Sequence, residues 1–141
     1  MKKILPLLLL ALVAALTVTG CKKRCMSAEG PTDVRILNHT GQFLDDVTVT
    51  TTDDVSYDDR VYNYGTVADG AYTDYHRFDI AFPKADITLN IGGVTWSTPA
   101  VNFSYLTYIG QDRITYTLTI ADQVNHVLGL EVTIEEPIDD L

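Results

Sequence analysis

The chain has 141 residues, of which 46% are hydrophobic, and ten Lys and Arg against nineteen Asp and Glu give a formal charge of −9. That length accommodates one domain with a substantial core, and the acidic balance excludes a nucleic-acid binder, which needs clustered Lys and Arg. The only two cysteines, Cys21 and Cys25, lie close together near the N-terminus, which excludes a disulfide framework within the body that follows.

In chain order, Lys2 and Lys3 precede an apolar run from Ile4 to Val18. The run is shorter than the roughly 20 residues that cross a bilayer. It starts basic and ends in small residues, so residues 1–20 read as a cleavable export signal. Thr17-Val18-Thr19-Gly20-Cys21 resembles the lipobox of bacterial lipoproteins, in which a branched apolar residue, a small residue and Gly or Ala precede a Cys that is lipidated and becomes the new N-terminus. The resemblance implies lipidation of Cys21 and a membrane partner, since two or three acyl chains at ~0.8 kcal/mol per buried CH₂ anchor stably.

Residues 21–31 offer little that packs and close on the breaker Gly30-Pro31, which predicts a lipidated flexible tether. Cys25 reads as an unpaired thiol within it. Lys22, in place of Asp after the lipidated Cys, resembles lipoproteins sent to the bacterial outer membrane. The expected placement is lipid-anchored and facing the periplasm, with the cell surface as the alternative.

Residues 32–141 are expected to form a single β domain. From residue 31 onward, five basic residues (Arg35, Arg60, Arg77, Lys84, Arg113) face eighteen carboxylates, a balance of −13. Anionic head groups would attract Lys22, Lys23 and Arg24, about 1 kcal/mol each, and repel the body. Period-two alternation predicts half-buried strands: Asp33 to Asn38, around Val47 and Val49, Val61 to Thr66, Thr73 to Phe82, and Ile87 to Ile91. After the hairpin signal Gly92-Gly93, Trp96 and Val101 to Tyr108 extend the second side, and Ile114 to Ile120 and Leu128 to Ile134 alternate most clearly. The predicted fold is an all-β antiparallel two-sheet sandwich, immunoglobulin-like or transthyretin-like. A small β-barrel is the alternative.

The lipobox, Val61-Tyr62-Asn63-Tyr64-Gly65, the stretch from Gly70 to Phe78 and the segment ending in Ile91-Gly92-Gly93 together resemble small uncharacterised Bacteroidetes-type lipoproteins with a β-sandwich domain. The resemblance implies the fold and the anchor and carries no chemistry. It casts Gly70 as a turn residue needing positive φ and Tyr75 as a packing residue.

Catalytic signatures are not found. His39, His76 and His126 lack the spacing of a zinc site, and Ser56, Ser97 and Ser104 lack a Gly-x-Ser-x-Gly elbow, so no enzyme is expected. No cofactor is expected either, apart from calcium on the carboxylates Asp53, Asp54, Asp58 and Asp59, although they lack the calcium-hand layout. Trp96, Tyr62, Tyr64 and Tyr72 are candidate ligand or partner contacts, because exposed rings stack on sugars or anchor protein partners. Trp96, near a hairpin tip, is the ring most expected at the surface.

The leading functional reading is therefore a noncatalytic binding or accessory module of the cell envelope, touching another envelope protein or a glycan. The alternatives are an acidic inhibitor or binder of a basic protein, and a carbohydrate-binding or glycan-processing protein.

Overall fold

A computed structural model describes residues 28–141. The export signal, Cys21, Cys25 and most of the tether therefore lie outside the described residues. Eight strands follow in order: β1 (Thr32–Asn38), β2 (Asp45–Thr50), β3 (Val61–Asn63), β4 (His76–Phe78), β5 (Asp86–Ile91), β6 (Val94–Ser97), β7 (Asp112–Asp122) and β8 (Val127–Pro137). A 3-10 turn at Phe103–Tyr105 interrupts the long connection between β6 and β7.

The alternation separates dry from wet faces along much of β7, although Thr115 on its outward face is buried and Ile134, on the expected dry face of β8, is exposed. On β7, Ile114, Tyr116 and Leu118 are fully buried, and they lie opposite Ile134, Val132 and Leu130 of the antiparallel β8. Val34 and Ile36 of β1 join the same core, in parallel register with Ile114 and Tyr116. Tyr116 is wholly enclosed, and its hydroxyl donates to the Phe82 carbonyl. Burial pushes that phenol well above its ordinary pKa, so it stays a neutral donor.

The expected sandwich is corrected. The strands form one eight-stranded mixed sheet, ordered β3-β2-β5-β6-β8-β7-β1-β4, that is nearly closed into a barrel. The barrel alternative is thus closer than either sandwich. Alternation tells which side of a strand is buried and leaves its neighbours open; here the β1–β7 and β6–β8 pairings are parallel, linking strands distant in sequence.

Several strands are also shorter than the pattern predicts. Thr73 to Phe82 contributes only His76–Phe78, and Val61 to Thr66 only Val61–Asn63. Val101 to Tyr108 is not a strand, because the Asn102 side chain accepts from the Ser104 amide and caps the 3-10 turn, and Phe103 is drawn into a second apolar cluster with Ile80 and Phe82. Between β5 and β6 the hairpin signal holds, with Gly92 and Gly93 at φ of 56° and 80°, the left-handed pair that a tight β turn requires.

The junction of β6 and β8 is the weakest link of the sheet. It consists of the one residue pair Ser97↔Val127. Beyond it the chain turns away from β8: the Thr98 amide donates to Ile87 O at 3.0 Å, the Ile87 amide donates to Thr98 Oγ1 at 2.9 Å, and that hydroxyl donates to Ala85 O at 3.1 Å. Pro99 then has no amide hydrogen to give. Among the described residues, Leu128 to Pro137 therefore pair only with β7.

Replacing Tyr116 by Phe leaves the buried Phe82 carbonyl without its partner, so Tyr116→Phe is expected to lower unfolding free energy by about 1–3 kcal/mol. A urea midpoint unchanged from the parent would contradict that role for the hydroxyl.

Candidate functional site

Two polar assemblies and one cleft stand out on this scaffold. The first closes the barrel where its edge strands β3 and β4 approach. Tyr62 stacks on His76 with ring centroids 3.7 Å apart and planes 9° from parallel; Tyr64 meets Tyr62 edge-on, and Phe78 meets His76 likewise. Asp59 lies 2.8 Å from His76 Nε2, and the Asp79 amide donates to Asp59 O at 2.9 Å. Side chains and this one backbone hydrogen bond thus bridge an edge that lacks a strand ladder.

The second assembly covers the outer face of β4, β1, β7 and β8, where period two sends Asp33, Arg35, Arg113, Thr115 and Glu135 outward. Arg77 grips Asp33 through two contacts of 2.8 and 3.0 Å and also reaches Asp140. Arg113 pairs with Glu136 and Asp139. The Arg35 guanidinium lies 4.1 Å from the Tyr72 ring centroid and 5.0 Å from that of Tyr75, while donating to both Glu135 oxygens.

Glu135 also accepts from Tyr75 and Thr115. Burial raises its pKa, but the bonds from Thr115, Tyr75 and Arg35 outweigh that and hold the carboxyl below its ordinary value. Tyr75 is pushed up to about 12 by burial and by its bond to Glu135.

The cleft opens where β6 and β8 part. Its volume is about 290 Å³, with Thr98 to Val101 on one side, Leu128 to Leu130 on the other and Lys84 at its margin. Mostly apolar lining and strand-edge backbone together suit an extended chain better than a charged small molecule.

The candidate rings divide. Trp96 is only 4% exposed and packs in the main core with its ring against His126. The expectation of a surface Trp96 is corrected, because β6 turns its third residue inward. Tyr64 is half-buried, its hydroxyl donating to Val34 O at 2.6 Å, and burial raises its pKa. Tyr62 and Tyr72 remain 39% and 55% exposed.

The acidic loop does not assemble a cage. Asp54 accepts from the Ser56 amide, Asp59 is engaged by His76, and Asp53 and Asp58 are exposed. Among the described residues, no group of three or more His, Cys, Asp and Glu is placed to hold a metal ion.

The sequence reading missed the Arg35–Tyr75–Glu135 cluster and the β6–β8 cleft. Outward alternation marks Arg35 and Glu135 as surface residues; only the register, with Arg35 opposite Thr115 on β7, brings them together.

The fold defines an all-β protein built on one mixed, nearly closed sheet. No family model matches the chain, and no curated protein matches it. Among solved structures it is similar to the NMR structure of a protein from Eubacterium rectale, at 15% identity and a TM-score of 0.49 over 81% of this chain and 97% of that one. A likeness of that size defines neither a family nor a function.

The direction of the Glu135 shift sets a pH dependence. Its folded pKa lies below the ordinary 4.5, so its stabilisation is present above that value and is lost as pH falls through the folded pKa. Glu135→Gln is therefore expected to be less stable at neutral pH and to lose less stability than the parent from about pH 5 down to about pH 3. Parallel stability curves for the two proteins would contradict this assignment.

Proposed function

We propose that the chain is a lipid-anchored lipoprotein of the bacterial envelope whose β body is a noncatalytic binding module, held at the outer membrane and facing the periplasm. The observation that carries the reading is Val18-Thr19-Gly20-Cys21 at the end of a short apolar run with a basic start.

The entry point of the chain supports this arrangement. Gln111 Nε2 donates to Gly30 O at 3.1 Å and Thr32 Oγ1 to Gly110 O at 2.6 Å, so the body is entered beside Asp112, which pairs with Pro137 at the end of β8. The close fit at Gly30, where a Cβ would stand 2.1 Å from Asp79 O, ties that end down. A tether from Cys21 would then hold this end towards the lipid. At roughly 3.3 Å per strand residue, the cleft beside Leu128 to Leu130 stands roughly 25 Å further out.

A second reading, an acidic binder or inhibitor of a basic protein, is favoured by how the cations are used. Arg35, Arg77 and Arg113 are all committed to carboxylates on the body itself, so the −13 balance of residues 31–141 is presented largely by unpaired acids. Such a field accelerates encounter with a cationic partner. The glycan reading loses support with the burial of Trp96; of its candidate rings, Tyr62 and Tyr72 stay exposed.

Mass measurement of the N-terminal peptide from the native host is expected to give an acylated Cys21, and Cys21→Ala to shift the chain from the membrane to the soluble fraction. A native chain that is uncleaved and free of acyl groups would overturn the anchor.

A further inference from the structure

Strand β8 presents an unusual surface. From Leu128 to Pro137 it pairs with β7 alone among the described residues, so every second N–H and C=O on its other side has no strand partner. Its inward-facing row emerges progressively from the core: Leu128 is buried, Leu130 and Val132 are half-buried, and Ile134 is 58% exposed. β6, which would cover them, leaves at Ser97 and is kept away by Thr98 and Pro99. A long edge with both open hydrogen-bonding groups and uncovered apolar side chains is a template for another strand.

We infer that the cleft between Thr98–Val101 and β8 takes an extended, positively charged segment of a partner protein, which adds as a further strand along Leu128 to Ile134. The added backbone satisfies the free groups of β8, and its alternate side chains cover Val132 and Ile134 and fill the apolar cleft, of about 290 Å³. Charge selects the occupant. Glu131 is exposed on the outer face of the edge and forms no ion pair with the described residues, and the surrounding body is strongly acidic. A basic segment gains from both.

A second copy of this chain is disfavoured by the same charges, since edge-to-edge pairing would set two bodies of −13 side by side. Lys84 does not oppose a basic occupant, because its exposed ammonium can stay in water while its stem lines the cleft. The inference rests on the binding-module half of the proposed function and is independent of lipidation at Cys21.

The test uses the full chain in detergent and a labelled ten-residue peptide of alternating Val and Lys, with an alternating Val and Glu peptide as control. Fluorescence anisotropy is expected to show binding of the Lys peptide only, weakened about tenfold by Glu131→Lys and abolished by Ile134→Lys. Both substitutions fall on exposed positions, and circular dichroism confirms that the variants remain folded. Amide exchange in the complex is expected to slow along Leu128 to Ile134.

Binding of both peptides alike, binding of the Lys peptide with no protection on β8, or no binding would each overturn the inference. So would self-association that protects β8 in the absence of peptide, which would assign the edge to a second copy. Acylation of Cys21 is read separately, so loss of the anchor and loss of the strand site are distinguishable.

Discussion

The architecture turns on how little joins its two four-strand arrays. β3-β2-β5-β6 and β8-β7-β1-β4 form a single sheet through the pair Ser97↔Val127 alone. That junction ends because Thr98 satisfies β5 and Pro99 has no hydrogen to donate. Continued pairing would have sealed β8 and removed both its edge and its cleft. Early termination lets the arrays fold over a common core, so the opposite edges β3 and β4 come close enough for Tyr62 and His76 to stack. The seam and the cleft are consequences of the same local choice.

The positions of most strands are legible in the sequence, the single mixed sheet and its cleft are not, and the parts that are not legible share a cause. The hairpin at Gly92-Gly93 and the long strands around Ile114 to Ile120 and Leu128 to Ile134 follow from local pattern, and Gly70 has the positive φ its turn requires, 74°. Which strand lies beside which is not local information. Arg35 finds Glu135 only because β1 runs parallel to β7 with Thr115 between them. Trp96 departs from its expected exposure for a related reason: distance from a turn says little about face, and its register opposite Leu89 places it inward. Phe103, read as part of a strand, is taken by Ile80 and Phe82 into a separate cluster.

Electrostatics ties fold to presentation. The acidic composition would repel the strands from one another if its few cations were scattered. Instead Arg77 and Arg113 converge on Asp33, which is only 6% exposed, and each also reaches an acid of the C-terminal segment. These contacts fasten the chain's last residues beside its entry point. What remains outward is mainly negative.

The free β8 edge is the claim on which cleft, curvature and recognition all depend, and amide hydrogen exchange in the uncomplexed protein examines it directly. β7, flanked on both sides by strands, should exchange slowly at every residue from Ile114 to Leu118, whereas β8 should alternate, with the amides facing away from β7 exchanging fast between Leu130 and Ile134. Uniformly slow exchange along β8 would mean that its edge is already paired, and would contradict the account.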